Sequence, residues 1–330
     1  MKKVSVGVIG VGTMGVHHAR NFAEIDGVTL VAIADTDVKR GQEVAAKYQC
    51  LYYKDYRKLL QDKTLSAVTI AVPTSLHFKI AKDCLNANKH VLVEKPITAT
   101  STQAKELIDE AKKRNLILGV GHVERFNPAV LELKKYLLRG EIGRIVSLLA
   151  KRVGLYPPSV LDTNVIVDLA IHDIDIFSFL LDQEPLNTFC LGGKAIGNKR
   201  EDYAEILLSY KGSVHGLIQV NWITPVKIRQ LSVTGTKGYI ELDYINQKIK
   251  IYHSHYTKSF DSFGEFLVRF GTPDVIDINV TGEEPLKAQL TEFVDCIRKG
   301  RKFPVDGNIG LNALITAEKS LAKMRERNIL

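Results

Sequence analysis

Residues 4–35 read VSVGVIGVGTMGVHHARNFAEIDGVTLVAIAD, and the order of residue types in this stretch decides the fold. Val4 to Ile9 is an apolar, β-branched run, too short for a helix and closed by glycine, which predicts a buried strand. Gly10-Val11-Gly12-Thr13-Met14-Gly15 follows, and then HHARNFAEI, which can form a helix. In a strand–turn–helix setting each glycine has its own task. Gly10 permits the tight turn, Gly12 lets the backbone approach a pyrophosphate, and Gly15 lets the helix pack close to the strand. The helix start, with Thr13 and Met14 in the turn before it, offers unpaired N–H groups and partial positive charge to the phosphates. A second strand, VTLVAIAD, ends on Asp35, 20 residues beyond Gly15. An acid at that offset holds the adenosine ribose hydroxyls of a dinucleotide. Asp35 repels a 2′-phosphate and so favours NAD over NADP, with Lys39 and Arg40 acting in the opposite sense.

Outward from this stretch the α/β alternation continues. DVKRGQEVAAKYQ reads as a helix, LSAVTIAVP as a strand and SLHFKIAKDCLNAN as a helix. HVLVEKP is a strand, STQAKELIDEAKKRN a helix capped by Ser101 or Thr102, and LILGVGH a strand. The pattern predicts an N-terminal Rossmann domain over residues 1–122, a doubly wound parallel sheet with right-handed crossovers. Ligands of such sheets bind beyond the carboxyl ends of the strands. Three such ends stand out: Pro73-Thr74-Ser75 with His77, Glu94-Lys95-Pro96, and His122 with Arg125. Thr74, His77, Glu94, Lys95 and Arg40 therefore join Gly10, Gly12, Thr13, Met14, Gly15 and Asp35 as candidates to hold the dinucleotide. Position alone reads Lys95 equally well as a solvated lysine paired with Glu94.

Residues 123–330 change rhythm and are expected to form a second, substrate-binding and oligomerisation domain. PAVLELKKYLLRG predicts a helix and IGRIVSLLAKRVG a strand. DTNVIVDLAIHDIDIFSFLLDQ is too continuously apolar for an exposed helix, so it predicts a mostly buried one capped by Thr163 or Asn164. Asp168, His172 and Asp175 lie at i, i+4 and i+7, on one face of that helix, whereas Asp173 points elsewhere. Polar groups on such a stripe need partners. A core histidine bonded to a carboxylate, a metal site and an acid/base pair all fit the spacing, but no further ligand is placed for a metal and none is expected. Six β-rich segments then run from Leu186 to His253, separated by turn signals. They predict a large, open, mainly antiparallel sheet with helices on one face and a second subunit on the other. In the less regular stretch 256–280, Phe263, Phe266 and Phe270 could line one face of a short helix, and the stretch could cap a pocket. The tail from Pro285 reads as two helices joined by GRKFPVDGN, with no sequence signal for which domain they pack on.

Composition sets the outer bounds. The 330 residues carry a net charge of +8, with 45% hydrophobic and 25% charged, which excludes disorder, collagen and coiled coil. The basic residues are spread along the chain and no nucleic-acid-binding motif stands out, so nucleic acid is not an expected partner. No run of about 18 apolar residues appears, so no membrane span is expected. The glycines and His17-His18 interrupt the apolar start where a signal peptide would continue. The four cysteines are scattered with no CxxC, which fits a reducing cytoplasm rather than a disulfide framework.

AVPTSLH, VLVEKPIT, DLAIHDID and EPLKAQLTEFVDCIRKGRKFPVDGNIGLNAL together resemble the glucose-fructose oxidoreductase / inositol dehydrogenase / rhizopine catabolism protein family, over nearly the whole chain. The resemblance implies an enzyme with a Rossmann domain and an open-sheet α/β domain, commonly a homodimer or homotetramer. It implies that the last helix can pack back on the first domain. By the same resemblance, Lys95 is the active-site lysine and Asp168 and His172 are the D-x-x-x-H pair, with His172 the base and Asp168 orienting it. Asn164-Val165-Ile166-Val167 departs from the glycine run that many members carry there. GHVERFNPAV and DLAIHDID are most similar to the branch that oxidises the 3-hydroxyl of UDP-N-acetylhexosamines by hydride transfer to NAD. Arg125, Arg152 and Tyr156 are candidates for sugar or phosphate contacts. The alternatives are a dehydrogenase of a free polyol such as inositol and a non-catalytic NAD(H)-binding regulator.

Overall fold

The computed structural model describes residues 3–155, 162–197, 200–253, 256–260, 266–270 and 274–327. The first half alternates strictly. It runs β1 (Val4–Ile9), α1 (Gly15–Glu24), β2 (Val28–Ala34), α2 (Val38–Tyr48), β3 (Leu51–Tyr53), α3 (Tyr56–Leu60), β4 (Ala67–Ile70), α4 (Thr74–Asn86), β5 (His90–Glu94), α5 (Ser101–Lys113) and β6 (Leu118–Gly121). The six strands pair in parallel in the order β3-β2-β1-β4-β5-β6. Strands β4 and β6 are buried at every position, as sheets covered on both faces require. The order reverses between β1 and β4, which opens a crevice at their carboxyl ends. Sequence reasoning missed β3 and α3, which are too short to show a period. The cap of α5 is Thr100, whose hydroxyl accepts from the Gln103 amide at 3.3 Å, rather than Ser101 or Thr102.

The second half holds α6 (Pro128–Arg139), β7 (Ile145–Leu155), α7 (Ile171–Leu181), β8 (Asn187–Gly193), β9 (Tyr203–Ser209), β10 (His215–Asn221), β11 (Ile223–Gly235), β12 (Gly238–Asp243) and β13 (Lys248–His253). Then come β14 (Tyr256–Phe260), β15 (Phe266–Phe270), β16 (Asp274–Asn279), α8 (Pro285–Lys299) and α9 (Gly307–Arg327). Eight strands form one mixed sheet, ordered β16-β13-β12-β11-β7-β10-β9-β8, in which only β7 and β10 run parallel. The helix read through Phe263, Phe266 and Phe270 is not formed. Phe266 and Phe270 bound strand β15, which pairs with β14 in a separate ribbon, and Phe263 lies outside the described residues.

The tail ties the halves together. Leu290 and Phe293 of α8 share a core with Val6 and Val8 of β1 and Phe22 of α1. Gln289, also on α8, donates to the Val120 carbonyl at 3.4 Å. Helix α9 runs between the halves: the Ser101 amide donates to Glu318 at 2.8 Å, and Ser320 lies 2.9 Å from Thr188 on β8. Among the described residues no helix is long and apolar enough to cross a membrane.

Candidate active site

The glycine loop is built as a cradle. Gly10 has φ +83°, and a Cβ there would lie 2.6 Å from the Ala71 carbonyl oxygen. A Cβ on Gly15 would fall 1.8 Å from the Gly10 carbonyl oxygen, so helix α1 touches the turn as no other residue would allow. At Gly12 a Cβ would meet only Arg40 Nη1, at 3.6 Å, so a side chain there would fill the cradle itself. No side chain caps α1; the Val16 and His17 amides turn back to the Gly12 and Met14 carbonyls, so the amides before them, in the glycine turn, are the ones open to a ligand. At the end of β2, Asp35 accepts from the Val11 amide at 2.7 Å and the Asp37 amide at 2.8 Å, one bond to each carboxylate oxygen. Each oxygen keeps a lone pair for a ribose hydroxyl. Arg40 is drawn aside by Asp37 at 2.6 Å.

This cradle is one end of a cavity of about 630 Å³ along the carboxyl edge of the parallel sheet. Gly10, Gly12, Thr13, Met14, Asp35, Arg40, Thr74, His77, Glu94 and Lys95 line it, as does Asp168 of the second half. Gly15 lies behind the lining, as its packing task demands. The residues fit an NAD-sized dinucleotide: backbone N–H groups for phosphates at one end, a ribose-binding acid beside them, and buried polar side chains at the other end.

His77 and Glu94 are committed to the walls. The His77 ring lies between the ends of β4 and β5, 2.7 Å from the Pro96 carbonyl through Nδ1 and 2.9 Å from the Val72 carbonyl through Nε2; a neutral ring donates to one of the two. Burial pushes its pKa down, against the pull of both carbonyls. Glu94 meets His18 of α1 at 2.9 Å. Burial opposes its charge, yet the bond to His18 and the nearby Lys95 hold the carboxyl below its usual range. His18 is a partner that sequence reasoning did not single out; its place on the buried face of α1 was the available signal.

Lys95 crosses between the halves. Its ammonium donates to the Asp168 carbonyl oxygen at 2.7 Å and to Asp168 Oδ1 at 2.9 Å. Asn164 prepares this position, because its side chain accepts from the Ile166 and Val167 amides, both at 3.1 Å, and so starts the helical segment. Residues 166–170 then take the wider π turn before α7 begins. A π turn breaks the i, i+4 stacking on which an Asp168–His172 contact depends. The carboxylate of Asp168 goes to Lys95, so the expected direct orientation of His172 by Asp168 is replaced by orientation of the lysine. The His172 Nδ1 is buried without a hydrogen bond among the described residues. Burial, followed by the positive charges of Lys95 and Arg152, pushes its pKa well below the ordinary histidine value.

Two expected substrate contacts have other partners. Arg152, 4% exposed, is bound through Nε and Nη2 to Asp173 at 2.8 and 3.0 Å and through Nη1 to Glu124 at 3.0 Å. Burial opposes its charge, but these two carboxylates raise its pKa further. Arg125 grips Asp175 with Nε at 2.8 Å and Nη2 at 2.7 Å. Arg152 thus has all three guanidinium nitrogens engaged, whereas Arg125 has its Nε–Nη2 edge engaged and keeps Nη1. Tyr156 lies outside the described residues. Asp173, expected to point away, is 1% exposed and central to this network. His122, also 1% exposed, has both ring nitrogens unbonded among the described residues, with Nδ1 3.8 Å from Asp175.

Comparison with known proteins gives a consistent picture. The profile of an oxidoreductase family with an NAD-binding Rossmann fold matches residues 4–122, and the GFO/IDH/MocA C-terminal domain profile matches residues 130–241. The chain is 31% identical to the UDP-N-acetylglucosamine 3-dehydrogenase of Acidithiobacillus ferrooxidans, across 96% of each chain. A solved structure of the Acidithiobacillus ferrooxidans UDP-N-acetylglucosamine 3-dehydrogenase superposes with a TM-score of 0.84, 28% identity and 99% of both chains covered. The myo-inositol 2-dehydrogenase of Thermotoga maritima is 27% identical across 97% of each chain.

Proposed function

The chain belongs to the glucose-fructose oxidoreductase / inositol dehydrogenase / rhizopine catabolism protein family of NAD-binding oxidoreductases, and from that premise we propose that it oxidises the 3-hydroxyl of a UDP-N-acetylhexosamine. The observation that carries the chemistry is the meeting of Lys95 from the dinucleotide half with Asp168, four residues before His172, at the inner end of the cavity. Bound NAD supplies the acceptor for the hydride that leaves the substrate carbon.

The side chains divide the remaining work. His172, held neutral by burial and by neighbouring cations, takes the hydroxyl proton. Its Nδ1 is buried without a partner among the described residues, so we assign the proton transfer to Nε2. Lys95 spends two N–H bonds on Asp168 and keeps a third for the same oxygen, whose negative charge it stabilises as the proton leaves. Asp168 fixes the direction of that third bond. The substrate class rests on the relative at 31% identity, and an inositol dehydrogenase at 27% makes a free polyol the second reading.

We also infer a homo-oligomer in a reducing cytoplasm. Across the sheet face away from the helices, Phe189, Leu207, Leu217 and Leu149 stand in register on four adjacent strands, each more than a third exposed. A second subunit covers such a row.

The deciding assay mixes the protein with NAD and then with UDP-N-acetylglucosamine or inositol, following nicotinamide absorbance. Reduction with the nucleotide sugar and little with inositol is expected. Reduction with inositol alone establishes the second reading, and no reduction with either substrate points to the regulator.

A further inference from the structure

We propose that Arg229 anchors the anionic part of the substrate, taking the diphosphate of a nucleotide sugar in the place that sequence reasoning gave to Arg125 and Arg152. This rests on the nucleotide-sugar reading above and adds the residue that would select for it.

Arg229 lies on β11 directly opposite Arg152 on β7, so both side chains leave the same inner face of the large sheet. Their fates differ. The Arg152 fork is spent on Asp173 and Glu124 and sealed from water. Arg229 Nη1 donates to the Val153 and Ile228 carbonyls at 2.6 and 2.8 Å, which fixes the guanidinium in place. Among the described residues no carboxylate comes within ion-pair distance of it. Its Nε and Nη2 make no hydrogen bond with described residues, yet neither is a sealed, buried orphan. Two donors of a fixed cation therefore face accessible space.

Arg229 lies near the reacting groups but is not among the residues lining the dinucleotide cavity: its charge acts on His172, and Asp173, Asp168 and Glu124 act on it. Gly154 stands beside it: a Cβ there would be 3.8 Å from Nη1, so position 154 itself puts no side chain against the guanidinium. Burial, followed by repulsion from Arg152, lowers its pKa to about 10, so it stays charged at neutral pH. A cation that is partly desolvated, held by backbone and short of an anion is matched by a ligand that brings one. A planar fork suits phosphate oxygens, which accept two parallel bonds. A free polyol brings no charge to such a group.

The test uses full-length protein loaded with NADH, titrated calorimetrically with UDP alone and with UDP-N-acetylglucosamine. Arg229→Gln is expected to weaken both by about ten- to a hundredfold, the loss typical of a charge-assisted bond. Arg229→Lys, which keeps the charge but not the fork, is expected to fall between. NADH affinity and the melting temperature should stay at wild-type values. In turnover, KM for the nucleotide sugar should rise with kcat nearly unchanged. Either folded variant binding UDP as tightly as wild type overturns the assignment while leaving the nucleotide-sugar reading intact. A wild-type protein that binds no UDP overturns both.

Discussion

At the scale of single residues, the site is a set of charges held against their solvation. His172 is the clearest case. Its lowered pKa means that the base is already neutral below the ordinary histidine value of about 6.5, so the acid limb of kcat/KM should fall below that pH. A limb near pH 7 or above would contradict a buried, cation-flanked base. Removing either group proposed to meet the substrate oxygen, by Lys95→Ala or His172→Ala, should lower kcat by about a hundredfold or more with NADH affinity retained. Near-normal turnover in a folded variant removes that residue from the mechanism. Much of this was legible in advance. The glycine loop, Asp35 and the Glu94-Lys95-Pro96 strand end carry positional signals that local sequence reveals. The partners were not legible. Nothing in the spacing says that Asp168 serves Lys95, that His18 serves Glu94, or that Arg125 and Arg152 are already engaged, because those pairs join residues 21 to 76 positions apart on different elements.

At the scale of elements, helix α7 and the turn before it present three acids to three cations: Asp168 to Lys95, Asp173 to Arg152 and Asp175 to Arg125. The near-continuous apolar run placed this helix in the core but could not phase it, since the π turn at 166–170 shifts the faces. Burial and hydrogen bonding make the Asp173–Arg152 pair costly to break. Asp173→Asn should destabilise the protein by about 3–5 kcal/mol in denaturant titration. A loss below about 1 kcal/mol would show that the pair is not buried as described. Strands with strict alternation, such as β9 and β10, were readable from sequence. The ribbon β14–β15 was not, because its phenylalanine spacing also matches a helix and nothing local arbitrates between the two.

At the scale of the whole molecule, burial couples stability to pH. Burial lowers the pKa values of His77, His90, His122 and His172 in the folded state. Below about pH 6.5 the unfolded chain therefore binds more protons at these positions, and stability should fall as pH drops from 7 to 5. A melting temperature that is flat or rising over that range would contradict four imidazoles kept neutral by desolvation. The exposed row on the open sheet makes a separate prediction: Leu207→Glu with Leu217→Glu should reduce the mass seen by light scattering without loss of fold. An unchanged mass would place any subunit contact elsewhere. The central claim also belongs to this scale, since the site exists only where the two halves meet. Its most direct test is the structure of the complex with NADH and UDP-N-acetylglucosamine. Lys95 Nζ and His172 Nε2 should both lie within about 3.2 Å of one sugar hydroxyl oxygen beside the nicotinamide. A complex in which they reach different oxygens, or in which either side chain turns away from the sugar, would contradict the account.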